Sequence, residues 1–299
     1  MAKQGLVSFI MPVWRPKPDW LRDAIESVLA QSNCELELII VDDGNPTPVH
    51  DLLGWLDDPR ARLLRAGHAG PSHARNLGIA AAKGSQFRFV DADDVLEAGS
   101  TARLQKLIGG ADDVIAYGTT LSCDDQLRPI ARRYESTLEG DVSRRCLLGE
   151  FDVRHFSMLF PRAIVETIGE WSLDFPVSSD RDFIQRATEQ GRVRGERAVA
   201  SYYRRHAQSI QGQADIASGE AAALKVIARY IQRHPGEHGS KLHRRAIANT
   251  LLNRARAYER VGSHALAFNR LAKAAPYAPG LASGTAAGMM WRRVRRLTD

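Results

Sequence analysis

Cysteine is scarce in this chain: Cys34, Cys123 and Cys146 are the only three in 299 residues. They are far apart and odd in number. They offer neither a disulfide framework nor a metal-ligand spacing, so a reducing compartment is expected. No apolar run approaches the roughly 18 residues that mark a spanning helix. The start, MAKQGLVSFIMPVW, carries one lysine and a short apolar run closed by proline, unlike a signal peptide. A chain that is soluble or peripheral to a membrane is therefore expected. Several motifs are missing as well. Without G-x-x-x-x-G-K-[ST] a P-loop NTPase is disfavoured, and without G-x-G-x-x-G after the first strand so is a dinucleotide oxidoreductase. Without G-x-S-x-G an α/β-hydrolase is disfavoured.

What remains is an ordinary globular composition, 44% hydrophobic, 25% charged and 7% aromatic. At about 150 residues per domain the length suits one large domain or two smaller ones. The net charge of +6 conceals an asymmetry. From Lys241 to Asp299 there are 12 Lys/Arg against Glu259 and Asp299, a net of +10, which leaves −4 for the first 240 residues. Such a basic end can meet phosphates of lipid headgroups or nucleic acid, or simply be a solvated helical face. Nucleic acid is disfavoured, because no recognised motif or aromatic interleaving accompanies the arginines.

Short apolar runs alternate with helical patterns over the first half. Leu6 to Val13, Leu36 to Val41, Arg62 to Arg65 and Phe87 to Val90 read as strands. Between them, a helix capped by Asp19 carries Leu21, Ala24, Ile25, Val28 and Leu29 at helical spacing. A second helix is expected around Val49 to Trp55 and a third over Gly70 to Ala82. This alternation argues for a parallel sheet with helices on both faces, and ligands bind at the carboxyl ends of such strands. The stretch from Asp112 to Phe160 is harder to read, with strands expected at Asp113 to Gly118 and Phe156 to Phe160 and a helix at Val142 to Leu148. A helix over Arg181 to Glu189 and an edge strand over Arg192 to Tyr203 follow. From Gly219 the pattern is helical throughout. LLNRARAYERVGSHALAFNRLAKAAPYAP resembles one tetratricopeptide-like hairpin, and Met290, Trp291, Val294 and Leu297 lie among four arginines at the end. The division expected is 1–215 for the main α/β domain and 216–299 for a helical region.

Two strand ends carry acids: Asp42-Asp43 and Asp91-Ala92-Asp93. Paired carboxylates are costly in a core. In an extended segment Asp91 and Asp93 would point the same way, and carboxylate oxygens suit Mg²⁺ or Mn²⁺ completed by phosphate and water. Asp43 could accept from a base N–H, and Arg75 could face a phosphate or the base. The plainer readings are a D-G turn at Asp43 and helix capping by Asp91 and Asp93.

VSFIMPVW, AIESVLAQ, LELIIVDDGNPTP and GPSHARNLGIAAAKGSQFRFVDADD, in that order, resemble the catalytic domain of glycosyltransferase family 2, over roughly residues 5 to 210. The resemblance implies an α/β GT-A fold, a mixed sheet with helices on both faces, here with a C-terminal helical appendage. It implies an inverting transfer from a nucleotide-diphosphate sugar, most simply a UDP-sugar, to a hydroxyl of a glycan or lipid-linked acceptor. Surface polysaccharide synthesis at the cytoplasmic side of a membrane would follow, with peripheral contact through the basic C-terminus. Carried over by position, Pro12 and Trp14 border the nucleotide, Asp43 reads the base beside Asp42, and Arg75 belongs to the A-R-N motif. Asp91, with Ala92, falls on the ribose or metal side, and Asp93 is the Mn²⁺ or Mg²⁺ ligand. In VSSDRDFIQRA, Asp180 takes the place of the general base and Asp182 of the supporting acid, while Ser179 stands where the family usually has an acid. YYRRHAQSI matches a late segment whose Arg204 and His206 would meet the diphosphate or the metal. Trp14 and Asn45-Pro46 depart from the commoner residues. A sugar nucleotidyltransferase and a catalytically degenerate interaction module are the competing readings.

Overall fold

The computed structural model describes residues 2–175, 177–206 and 215–298, without the side chains of 131, 132 and 290–298. It divides into two compact units, Met1–Val142 with Phe151–Gly212, and Ser143–Glu150 with Gln213–Asp299.

The first unit is built on one mixed sheet. β1 (Lys3–Val13), β2 (Glu35–Asp42), β3 (Ala61–Arg65) and β4 (Gly84–Phe89) run parallel in the order β3-β2-β1-β4. The order continues through β8 (Met158–Pro161), β6 (Val114–Cys123) and β9 (Arg192–Arg204) to β5 (Val95–Leu96), and β7 (Pro129–Tyr134) pairs with β6. β8 is antiparallel to both β4 and β6, so the sheet is mixed, as the family resemblance implies, where the alternation of strands and helices alone gave a parallel one. β9 is not an edge strand, because the two-residue β5 covers its far side.

Continuous apolar runs make β1 and β2 central strands, buried on both faces. Val7, Phe9, Met11 and Val13 pack with Leu38 and Ile40 against Leu21, Ala24, Ile25 and Val28 of α1 (Pro18–Leu29). Asp19 lies in the first turn of α1 but does not cap it; Lys17 holds the N-cap and Pro18 the first helical position. On the other face α2 (Pro71–Ala81) approaches β1 closely at Gly78, where a Cβ would fall 2.4 Å from Ile10 Cγ2. The helix expected at Val49 to Trp55 is only a 3-10 turn, Val49–Leu52. α3 (Ser100–Ile108) begins after Gly99, so neither Asp91 nor Asp93 caps it. α5 (Arg162–Ile168) and α6 (Ser179–Gln190) belong to the same unit.

Arg88 is a fully buried strut on β4. It donates to Ser100 Oγ (2.9 Å), Thr101 Oγ1 (2.7 Å), the Ala200 carbonyl (2.8 Å) and the Phe156 carbonyl (3.3 Å). Burial pulls its pKa down to about 9. Its hydrogen bonds tie β4, α3 and β9 together three residues before Asp91.

The second unit contains α4 (Ser143–Leu147), α7 (Ile216–Arg233), α8 (Lys241–Arg260), α9 (His264–Ala274) and α10 (Pro279–Thr298). Asp215 and Ser240 cap α7 and α8, each side chain accepting from a backbone N–H three residues on. α8 and α9 are the hairpin expected from the small-residue spacing, joined through Gly262 at φ +77° and packed through Leu251, Ala255, Leu271 and Ala274. No helix among the described residues is long and apolar enough to cross a membrane.

Candidate active site

The carboxyl ends of β1 and β2 form the first wall. Pro12 is half-buried in register with Val41, and Trp14 is 37% exposed just beyond β1. Asp43 is buried at the end of β2, yet its carboxylate is well supplied with donors. It accepts from the amides of Ala69 (3.0 Å) and Gly70 (3.0 Å) and from His68 Nδ1 (2.8 Å). The His68 ring stacks on Trp14 with centroids 3.7 Å apart and planes 13° from parallel. Gly44 makes this possible: its φ is +73° and a Cβ there would lie 2.4 Å from the His68 amide nitrogen. A carboxylate has about four lone-pair positions, so three donors leave room for one more.

Asp42 is turned to a different task. Its oxygens accept from the Asn45 amide (2.9 Å), Asn45 Nδ2 (2.7 Å) and the Val49 amide (3.1 Å). Burial alone would raise its carboxyl, but these hydrogen bonds hold it below the usual range. Asn45 also bonds the Val13 carbonyl and the Arg15 amide. The side chain expected beside the nucleotide is thus a brace for the loops after β1 and β2.

The D-x-D segment is a turn, not an extended strand: the Asp94 amide donates to the Asp91 carbonyl at 3.2 Å. Its two carboxylates consequently serve different partners. Asp91 accepts from Arg75 Nη2 at 2.5 Å and faces His155 Nε2 at 3.6 Å. Burial would raise the Asp91 carboxyl; Arg75, then His155, outweigh it and hold it well below the usual range. The A-R-N motif is legible in these contacts. Ala74 is fully buried, and Arg75 lies 4.5 Å over the Trp171 ring. Asn76 takes both main-chain groups of Trp171, donating to its carbonyl at 2.9 Å and accepting from its amide at 2.8 Å. Arg75 therefore orients Asp91, where the sequence suggested a phosphate or base contact.

Asp93 points elsewhere, with its Oδ2 2.8 Å from His206 Nε2. Ala92 between them packs against the main core. Asp94 is fully buried, accepts from the Arg204 amide at 2.8 Å, and leaves Oδ2 without a hydrogen-bond partner among the described residues. Burial, then Asp93 and Asp91, push its carboxyl well above the usual range. Arg204 was expected at a diphosphate, but its guanidinium is consumed internally. Nε donates to the Asp93 carbonyl (3.0 Å), Nη2 to Asp23 (2.9 Å) and Nη1 to the Asp125 carbonyl. It clamps the D-x-D turn. Ala207–Ile210, the rest of that motif, lie outside the described residues.

On the opposite side α6 presents Asp180 and Asp182 in its first turn. Asp180 is partly exposed, with Oδ2 3.9 Å from both His155 Nδ1 and Arg154 Nη1. Asp182 is 1% exposed and accepts from Arg186 Nε at 2.8 Å, while Arg186 also holds the carbonyls of Ile168 and Glu170. Asp182 secures the segment after α5 and does not share the site with Asp180. Ser179 is buried, and Ser178 before it takes a left-handed φ of +59°. Four contributors escaped the sequence reading: His68, Asn76, His155 and Trp171. Asn76 alone had a signal, as the last letter of A-R-N.

Among the described residues no three or more His, Cys, Asp or Glu side chains cluster as a metal cage. The Asp93–His206 pair nevertheless supplies one oxygen and one nitrogen ligand. That set fits a divalent cation completed by phosphate oxygens and water.

Residues 8–169 match the family model described as Glycosyl transferase family 2, which is more than half of the chain. The chain belongs to glycosyl transferase family 2. Among curated relatives, the succinoglycan biosynthesis protein ExoO of Rhizobium meliloti is 34% identical over 120 residues, 40% of this chain and 32% of that protein. The uncharacterized glycosyltransferase EpsJ of Bacillus subtilis is 34% identical over 119 residues, 38% of this chain and 33% of that one. The aligned parts span between 14% and 40% of the length of the curated relatives they match. S. aureus TarS 1–349, solved with UDP-GlcNAc, superposes with a TM-score of 0.58 at 15% identity, covering 94% of this chain and 92% of that one. At such identity the likeness speaks for the fold, and it agrees with the GT-A sheet of family 2 with helices following it.

Proposed function

We propose that this chain is an inverting glycosyltransferase that moves a sugar from a nucleotide diphosphate to an acceptor hydroxyl. The observation that carries the reading is the placing of acids at the carboxyl ends of two parallel strands, Asp43 after β2 and Asp91 and Asp93 after β4, with Asp180 of α6 reached from Asp91 across His155. Trp14 offers a stacking face and Asp43 a remaining lone pair for a base N–H. Asp91, held by Arg75, faces the ribose side. Asp93 and His206 would hold a Mn²⁺ or Mg²⁺ ion, which when bound supplies neutralising charge to the departing diphosphate.

Asp180 takes the proton of the acceptor hydroxyl. That oxygen forms the new bond to the anomeric carbon from the face opposite the leaving group. The bond to the diphosphate oxygen breaks with its electron pair, and the configuration inverts. No residue needs to become covalently attached. A uridine donor is supported by the UDP-GlcNAc-bound TarS neighbour, and polysaccharide synthesis by the ExoO relative. Residues 1–215 are taken as the catalytic part and 216–299 as a helical accessory.

Thermal shift with UDP, GDP and dTDP, with and without Mn²⁺, tests the donor reading. A nucleotide at 100 times its Kd should stabilise the fold by about 2.7 kcal/mol. UDP with Mn²⁺ is expected to give the largest shift; no shift with any nucleotide and metal rejects the reading.

The acceptor is read as a glycan or lipid-linked saccharide, met at the cytoplasmic face of a membrane. The net +10 from Lys241 onward supports this, since anionic headgroups attract such segments. The side chains of Trp291, Val294, Leu297 and their arginines lie outside the described residues. Removing residues after Ala286 should lower sedimentation with anionic vesicles, and undiminished sedimentation counts against the tail as the contact.

A further inference from the structure

His155 opens a 3-10 turn, and its ring is almost fully buried. Phe156 and Trp171 meet it near edge-on at 5.1 and 5.5 Å, which fixes the ring plane by packing. Its two nitrogens face opposite halves of the site. Nε2 lies 3.5 Å from Arg75 Nη2 and 3.6 Å from Asp91 Oδ2. Nδ1 lies 3.9 Å from Asp180 Oδ2 and has no hydrogen-bond partner among the described residues. A buried polar nitrogen left unpaired is unfavourable, and the nearest carboxylate it faces is that of Asp180.

We propose that His155 is a positioning residue for Asp180: its Nδ1–H orients the Asp180 carboxylate toward the acceptor, while its Nε2 anchors the ring to the Arg75–Asp91 pair. This rests on the reading of Asp180 as the base. Nε2 stands between a donor, Arg75 Nη2, and the second oxygen of Asp91, while Arg75 bonds the first. The positioning role requires the tautomer with Nε2 accepting from Arg75 and the ring proton on Nδ1, aimed at Asp180. Hydrogen bonds of this kind are commonly long before substrates bind and shorten in the reactive complex. Asp180 also faces a cation, Arg154, at 3.9 Å, so its carboxyl has two alternative directions. The imidazole selects one of them.

Two substitutions separate this role from mere packing. In His155→Asn the amide falls near the Nδ1 position, and in His155→Gln it falls near Nε2. Nucleotide release from a panel of UDP-, GDP- and dTDP-sugars, with water as acceptor, reads the turnover. UDP affinity in the presence of Mn²⁺ reads the donor half. His155→Gln should lose about 10²-fold in release, the scale of a reacting group displaced by about 1 Å, with UDP affinity unchanged. His155→Asn should recover much of that loss. Equal or better release by the Gln variant, or a fall in UDP affinity that matches the fall in release, overturns the proposal. Spectra of isotope-labelled histidine give a readout without turnover. His155 should be the Nδ1–H tautomer in the wild type and lose that preference in Asp180→Ala; an Nε2–H ring that ignores Asp180→Ala also overturns it. Asp180→Asn is the control: full release by that variant defeats the base assignment itself, whereas an inactive Asp180→Asn beside fully active His155 variants defeats only the positioning role.

Discussion

Asp180→Asn is expected to lower sugar transfer by about 10²–10⁴-fold, the range of a lost general base, with UDP binding in the presence of Mn²⁺ unchanged. The substitution keeps the shape of the side chain and removes its ability to take a proton. The structure shows why the fold should tolerate it. Among the described residues Asp180 makes no close ion pair: Arg154 and His155 stand at 3.9 Å, and the neighbouring Arg181 amide donates to it at 3.0 Å. An asparagine oxygen can accept that amide as well. Asp182→Asn provides the contrast. It would weaken the charged contact to Arg186 and so the segment after α5, so its effect should appear in thermal unfolding. Nucleotide release measured beside calorimetric UDP binding separates the two outcomes. Full transfer by Asp180→Asn would remove the only acid of the α6 first turn that faces the site, and the proton acceptor would have to be sought on another element.

The strand ends that build the site were legible because apolar, β-branched runs stop abruptly at acids. β1, β2 and β4 lie where Leu6 to Val13, Leu36 to Val41 and Phe87 to Val90 placed them. Strand direction beyond β4 was not legible, because antiparallel pairing of β8 is settled by long-range partners and leaves no local period. The role of each acid was harder still. Asp91 and Asp93 looked equivalent under a strand period of two, but a turn at Asp91–Asp94 sends one to Arg75 and the other to His206. Asp180 and Asp182 could have been told apart. Two residues on a helix lie about 200° around its axis, so one first-turn acid faces the site only if the other faces away. Arg204 and His206 looked alike as contacts to the diphosphate or the metal, yet Asp23 and the carbonyls of Asp93 and Asp125 claim the arginine's guanidinium. His155 lay in a stretch without periodicity, and a lone histidine carries no sign of its neighbours.

Asp93→Ala should abolish the Mn²⁺-dependent part of nucleotide binding, with a loss above about 10²-fold, since even partners of metal ligands are worth 10–100-fold. The turn itself should survive. Arg204 reaches the main-chain carbonyl of Asp93, not its carboxylate, and the Asp94–Arg204 amide contact is independent of the substituted side chain. What disappears is the carboxylate 2.8 Å from His206 and one of the charges that raise the buried Asp94. Relief of that repulsion and loss of the His206 contact act in opposite directions, so unfolding without ligand should be little changed. The diagnostic measurement is the UDP thermal shift with and without Mn²⁺. In the wild type the metal should enlarge the shift; in Asp93→Ala the two curves should coincide. His206→Ala should give a smaller loss of the same kind, because the phosphates and Asp93 remain. A metal-enhanced shift retained in Asp93→Ala would move the cation to other ligands, and a loss confined to Asp91→Ala would place it on the Arg75 side of the turn.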